Sequence, residues 1–355
     1  MALPFSLPPS LAVFVLSLAS AAPAFAGGGE ALYDVDFNPT WSFATHPTAF
    51  PPAAHFSPLI GATHSSGIQF WTPGGIASPG IEIMAETGGV FSLEFAVTQA
   101  ITAGTAGQVI KGGGVFVPGS TSTTLRVTDE FPLVSLVTMI APSPDWFVGV
   151  HDLNLLTPTG WEDSVTVELF AYDAGTDSGA TFTSTNVNTF PKVPISLITG
   201  GPFTGSDSLG SFTFTRRAST FEYGCSTPPD SFVVTSGIPQ MGTTVELEFS
   251  DPSGTMLLPS IVFWSASATP DVLYPCGTLF PDWGLSAPGT PGEYLVGTPF
   301  LTLRAGKWNG TPVGLSLPIP VDATLEGVPV YLQGFMIDAS PRIALTSAVK
   351  LVIGS

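Results

Sequence analysis

The sequence is poor in charged residues, which make up only 10% of its 355 residues, and basic residues are the scarcest. Lysine and arginine together number nine against 27 acidic residues, so the formal net charge at pH 7 is −18. Proteins that bind nucleic acid need clustered basic side chains to displace the counterions of the phosphates. The shortage therefore argues against a nucleic-acid partner and against unaided docking on an anionic lipid surface.

The usual catalytic motifs are also missing. The chain has no GxSxG nucleophile turn, no GxxxxGK[ST] phosphate loop, no HExxH zinc helix and no GxGxxG after a strand-like run. Three of the four histidines, His46, His55 and His64, lie in one Pro- and Ser-rich stretch, where a His pair is able to ligate zinc or act as a base. Hydrogen bonding to loop carbonyls is the simpler interpretation. The sequence predicts a protein that is not an enzyme, with a metal-dependent hydrolase as the less favoured alternative.

No apolar run is long enough for a membrane span, which needs about 20 residues. The N-terminal run is about a dozen residues long and is followed by Ala24 and Ala26 in an AxA pattern, although no basic residue precedes it. We therefore predict a signal peptide over residues 1–26 and a secreted protein, extracellular or at the cell surface.

Cysteine is scarce as well, since the chain contains only Cys225 and Cys276. Export permits a disulfide between them. Closing a loop of about 50 residues stabilises a fold by about 4 kcal/mol on the chain-entropy model. The alternative is two separate buried thiols, and no CxxC pattern suggests metal or redox chemistry.

Apolar residues are plentiful, at 44% of the chain, and Gly and Pro punctuate them. Short runs rich in β-branched and aromatic residues alternate with turn signals, which is typical of antiparallel strands. Residues 133–140 are apolar except for Ser135 and Thr138, as in a strand buried on both faces, and residues 209–217 alternate strictly. We predict an all-β fold with two antiparallel β-sandwich domains in tandem, over residues 27–217 and 223–355, joined by a linker at 218–222.

One segment has helical rather than strand periodicity. Residues 80–88 place Ile81, Met84 and Ala85 at helical spacing, which predicts one short helix in the first domain. The run VFSLEFAV at 90–97 is rich in β-branched and aromatic residues, and it is predicted to be a strand.

Two Asp-bearing turns flank strand-like runs in the middle of the first domain. Asp145 lies in PSPDW, and Asp173 and Asp177 lie in DAGTDSG. A hard cation such as calcium takes six to eight oxygens from carboxylates and loop carbonyls, and Pro and Gly supply such loops here. The spacing is not that of an EF-hand. The alternative is that these residues serve only as turn formers, because Asp side chains bond nearby backbone amides.

The same strings resemble the spondin domain, the module found in F-spondin and mindin, whose signatures look like MxxPSPDWFVGV and DAGTDSG. The resemblance begins at Trp41, continues through AHFSPLIGATHS (54–65) and GIEIMAETG (80–88), and ends near the PKVPI run after Asn186, about half of the chain. It implies an extracellular antiparallel β-sandwich that takes part in cell or matrix adhesion. It also implies one calcium ion, whose ligands carry over to Asp145, Asp173 and Asp177.

The sequence thus predicts a secreted calcium-binding protein whose first domain acts in adhesion or ligand binding at a cell surface, matrix or biofilm. The partner is an unidentified surface glycan or protein. The alternative is a passive surface protein in which calcium is purely structural. The second domain is similar to a C-terminal β module of secreted bacterial proteins, with YGC, YPCGT and LPIP as landmarks, and the resemblance implies no activity for it.

Overall fold

A computed structural model of the chain describes residues 29–203, 208–225, 227–251, 258–268, 277–285, 289–337 and 343–355. The predicted signal peptide at residues 1–26 lies outside these ranges. Cys276 also lies outside the described residues, so its pairing with Cys225 stays a prediction.

Up to residue 223, short strands surround two consecutive helices, α1 (Pro79–Thr87) and α2 (Phe91–Thr102), with a 3₁₀ turn at Gly201–Phe203. The strands are β1 (Glu30–Pro39), β2 (His55–Phe56), β3 (Ile60–His64), β4 (Ala106–Lys111), β5 (Val115–Phe116), β6 (Thr121–Thr128), β7 (Leu133–Ala141), β8 (Trp146–Asn154), β9 (Leu156–Thr157), β10 (Gly160–Trp161), β11 (Ser164–Leu169), β12 (Tyr172–Asp173), β13 (Ser196–Leu197) and β14 (Gly210–Tyr223).

Beyond residue 223 the described elements are strands and a 3₁₀ turn at Ala323–Leu325. The strands are β15 (Phe232–Ser236), β16 (Thr244–Phe249), β17 (Leu258–Ser265), β18 (Thr278–Phe280), β19 (Gly292–Tyr294), β20 (Leu301–Trp308), β21 (Val313–Pro318), β22 (Pro329–Ile337) and β23 (Ile343–Val352). In the part of the chain that the structure describes, no helix combines the length and the apolar content needed to cross a membrane.

Two large antiparallel sheets build the first half, and one of them continues into strands of the second half. One has the order β20-β17-β22-β23-β14-β1-β6, with β11 also paired to β14, and the other has the order β13-β12-β8-β7-β2-β5, with β3 between β7 and β4. Their buried side chains meet in one core, to which Phe37 and Phe212 contribute from the first sheet and Leu136 and Val148 from the second. The predicted all-β class and antiparallel sandwich are confirmed.

The helices cover the outer face of the second sheet. Ile81, Met84 and Leu93 pack there in a separate apolar cluster with Val137 and Phe147. Strand β7 is therefore enclosed on both faces, as its largely apolar run predicts, and all of its residues after Leu133 are buried.

The prediction of a strand at 90–97 was wrong, as was that of a single helix, because this run opens helix α2. Leu93, Val97 and Ala100 recur at helical spacing and are buried, whereas the two aromatic residues, Phe91 and Phe95, are exposed on the other face. Packing of this apolar stripe outweighs the β propensity of the individual side chains. The helix predicted at 80–88 is confirmed as α1.

The second half is also a sandwich, and it shares a sheet with the first. Strands β17, β20, β22 and β23 pack against the three-stranded sheet β15-β16-β21 around a core that includes Phe232, Leu247 and Met336. The predicted linker at 218–222 is instead part of β14. Residues 210–215 of this strand pair with β11 and residues 219–223 with β23, so one sheet runs continuously through both sandwiches.

Candidate metal centre

Strand pairing brings the two Asp-bearing turns together at one end of the second sheet. Asp145 immediately precedes β8, and Asp173 lies opposite Trp146 in the β12-β8 ladder. The Ala174 amide donates to the Asp145 carbonyl at 3.1 Å. The loop that carries Asp173 and Asp177 therefore folds against Asp145.

The Asp145 side chain is fully buried, and its two oxygens have different surroundings. Oδ2 accepts hydrogen bonds from the amides of Thr176 at 2.7 Å and Asp177 at 3.1 Å, and from Thr176 Oγ1 at 3.2 Å. Oδ1 is buried without a hydrogen-bond partner among the described residues. A buried carboxylate oxygen without a partner costs folding free energy, so a hydrogen-bond donor or a cation at this atom would stabilise the fold.

The other two aspartates are bound to the backbone of their own loop. Asp173 Oδ1 accepts from the Gly175 amide at 2.8 Å, and Asp177 Oδ1 accepts from the Gly179 amide at 2.7 Å. Asp177 Oδ2 also accepts from the Val187 amide at 3.1 Å. These bonds to nearby amides are what the alternative interpretation, in which the aspartates serve as turn formers, predicts. Each carboxylate still has lone pairs that could accept a second partner.

The site concentrates negative charge. Burial raises the pKa of Asp145 to about 6, against the opposing effect of its hydrogen bond from the Thr176 amide, and the charge of Asp173 adds to the rise. Burial also raises the pKa of Asp173, helped by the charge of Asp177, although bonds from the Gly175 amide and the Trp146 side chain oppose it. No ion pair among the described residues involves these three acids. A bound cation would relieve this repulsion.

The donor set fits a hard cation in part. Carboxylate oxygens are what calcium prefers, and Asp145 Oδ1 is without a protein partner. Within the described ranges, however, no group of three or more His, Cys, Asp or Glu side chains could hold a metal ion, so the three aspartates do not by themselves form a ligand cluster. Any calcium ion here would therefore need backbone carbonyl or water oxygens as well.

Three residues complete the site beyond the predicted aspartates. Thr176 and Val187 contribute main-chain amides, which residue type alone does not reveal. Trp146 is a buried core residue whose side chain also lowers the pKa of Asp173. Trp161 belongs to the core and donates its indole N–H to the Thr220 carbonyl at 2.9 Å.

The histidine-rich stretch does not form a catalytic relay around His64. This residue is fully buried, with Nε2 2.9 Å from Ser135 Oγ and Nδ1 2.9 Å from the Ser65 carbonyl. Asp152 Oδ1 lies 3.7 Å from the same Nε2 atom. In a hydrolytic triad the acid and the nucleophile contact opposite ring nitrogens, so this cluster has the character of a buried hydrogen-bond network.

Fold and site together define a β-sandwich module with an acidic loop site at one end and a helix pair on its outer face. The family model described as Spondin_N matches residues 31–215, about half of the chain, and the protein belongs to this family.

The chain is similar to animal spondins. It is 34% identical to rat spondin-2 over 61% of its own length and 68% of the relative, and 37% identical to human spondin-2 over 53% and 60%. Identity to rat spondin-1 is 37% over 48% of the chain, but the match spans only 22% of that relative. Spondins are secreted proteins of the extracellular matrix, and the extracellular localisation predicted from the sequence is confirmed.

Proposed function

We propose that this protein is a secreted calcium-binding adhesion or ligand-binding module that acts at a cell surface, matrix or biofilm. Membership of the spondin family supports the extracellular binding role. The observation that carries the calcium assignment is the buried Oδ1 of Asp145, which lacks a partner among the described residues beside two further aspartates.

In this proposal Asp145, Asp173 and Asp177 would hold calcium, which supplies positive charge to an otherwise all-acidic site. The chain's own residues position the carboxylates. The amides of Thr176 and Asp177 fix the Asp145 side chain, and the Gly175 amide fixes that of Asp173. Two separate turns would then be bound to one ion, so the loops at this end of the sandwich would present a rigid surface to a glycan or protein partner.

Calcium removal tests this function. At a calcium concentration about 100 times the dissociation constant, binding stabilises the fold by about 2.7 kcal/mol, so chelation lowers the melting temperature and added calcium restores it. Asp145→Asn removes this response. Asp36→Asn, at an exposed position on β1, is the matched control and keeps it. Elemental analysis without calcium, or an unchanged response in Asp145→Asn, would contradict the assignment.

A passive surface role is distinguished from a binding role by ligand-binding assays. Calcium-loaded, folded protein that binds neither a glycan array nor cells would indicate that the ion is purely structural. We also propose that the protein works by binding rather than catalysis. Zinc at about one ion per chain together with a hit in a substrate screen would overturn that view.

A further inference from the structure

An open groove lies between the C-terminal end of helix α1 and strands β2 and β5, and none of the three aspartates lines it. Its volume is about 400 Å³, and its lining includes His55, Glu86, Gly88 and Phe116. We call it the α1 groove. The Phe116 side chain is 70% exposed, and its ring centroid lies 5.1 Å from that of His55. A large aromatic face is therefore presented to solvent beside polar groups.

The groove is electronegative for two independent reasons. The Glu86 side chain is half-buried and forms no hydrogen bond or ion pair with any residue that the structure describes, whereas Glu82, one turn earlier, pairs with Lys192 at 2.6 Å. Helix α1 ends here with Gly88 as its C-cap, and its last turn contains no basic residue. The negative end of the helix dipole is therefore uncompensated by the helix itself.

His55 strengthens this preference for a cation. Its Nδ1 lies 2.8 Å from the Ala53 carbonyl, an acceptor, so Nδ1 carries the proton. In the neutral ring Nε2 is then a hydrogen-bond acceptor. A planar cation that donates several hydrogen bonds and stacks on an aromatic ring matches this combination, and guanidinium does both.

We propose that the α1 groove binds an arginine side chain of a basic partner protein, with the guanidinium stacked on Phe116 and paired with the Glu86 carboxylate. The net charge of −18 favours approach of a basic segment. This inference rests on the proposed binding function and specifies the chemistry of one partner contact.

The test uses the full chain and a short peptide with one central arginine, titrated by calorimetry at about 50 mM salt, where screening is weak. The control peptide carries citrulline, which keeps the shape of arginine without its charge. We expect saturable binding of the arginine peptide and at least tenfold weaker binding of the citrulline peptide. Glu86→Gln and Phe116→Leu should each reduce the affinity for the arginine peptide about tenfold.

Glu130→Gln is the matched charge control, because Glu130 is exposed in the turn between β6 and β7 and does not line the groove. Equal affinity for both peptides would overturn the proposal, as would an equal loss in Glu130→Gln and Glu86→Gln. A neutral oligosaccharide that binds through Phe116 while the arginine peptide does not would also overturn it. Circular dichroism verifies that each variant is folded.

Two further titrations separate this inference from the calcium assignment. Arginine-peptide binding that persists in Asp145→Asn shows that the groove acts without the aspartate site. If the protein shows the calcium-dependent shift in melting temperature but does not bind the arginine peptide, the groove proposal is overturned and the calcium assignment is not.

Discussion

The main-chain amide of Thr176 and the carboxylate of Asp145 lie 2.7 Å apart, although 31 positions separate them in the sequence. This bond connects the loop after β12 to the turn before β8. It also leaves the second oxygen of the Asp145 carboxylate buried without a described partner. The geometry of the loop that contains Gly175 and Thr176 is therefore central to the proposed site.

Replacing Gly175 with alanine should destabilise this loop. Gly175 has φ of +74°, and an added Cβ would lie 2.1 Å from the Val193 carbonyl oxygen. Strain at positive φ costs about 1–3 kcal/mol, and the clash with backbone adds to it. We expect Gly175→Ala to lower the free energy of unfolding by at least about 3 kcal/mol in urea denaturation and to weaken calcium binding.

Gly74→Ala is the matched control for that experiment. Gly74 has a similar φ of +84°, but nothing lies within 4 Å of its added Cβ. Its cost should be limited to backbone strain, about 1 kcal/mol. Equal losses in the two variants would show that the close approach to Val193 is unimportant.

The buried side chain of Glu222 should make the protein less stable as the pH rises. Burial raises the pKa of this side chain to about 8, a bond from the Val234 amide opposes the rise, and the charges of Asp230 and Asp129 add to it. Because the unfolded-state pKa is 4.5, the folded protein holds this proton while the unfolded chain releases it. The penalty is absent below about pH 4.5, grows up to about pH 8, and reaches at most about 3 kcal/mol at pH 7.

Glu222→Gln should flatten this pH dependence between about pH 5 and 8, as measured by urea denaturation at each pH. Glu326→Gln, at an exposed position, should leave the slope unchanged. A slope that is the same in Glu222→Gln and wild type would show that another group causes it.

Gln333 connects three main-chain groups in the second half. Its Oε1 accepts from the Leu295 amide at 3.0 Å, and its Nε2 donates to the carbonyls of Glu293 at 2.6 Å and Thr346 at 2.8 Å. Gln333→Leu removes these three hydrogen bonds in a buried position. Since each costs about 1–3 kcal/mol, we expect a loss of at least about 3 kcal/mol in chemical denaturation.

Gln240→Leu provides the comparison, because the Gln240 side chain bonds the Ser355 carbonyl in an exposed place. Water replaces that partner, so the cost should be within about 0.5 kcal/mol. A small loss in Gln333→Leu would indicate that water reaches the groups left behind.

Local patterns predicted much of the first half. The apolar run at 133–140 became β7, and the apolar spacing in 80–88 became α1. Helix α2 was missed because aromatic and β-branched residues in 90–97 satisfy strand statistics, although Leu93 and Val97 already showed helical spacing. Burial against the sheet decided the outcome, and that contact is not a local property of the sequence.

Long-range pairing accounts for what the sequence could not indicate. Residues 218–222 were predicted to be a linker, yet residues 219–223 pair with β23, more than a hundred positions later in the chain. In the site, the acidic side chains were identifiable by type. The amides of Thr176 and Val187 were not, since every residue carries such a group and only the folded loop selects them.

Strand β14 also affects how the protein would respond to pulling. Tension on the first sandwich would pass to the second through main-chain hydrogen bonds on neighbouring strands, because the described strand continues unbroken from Gly210 to Tyr223. A force on a surface attachment in one half would therefore be transmitted to the other half through a continuous strand, and not through an extensible linker.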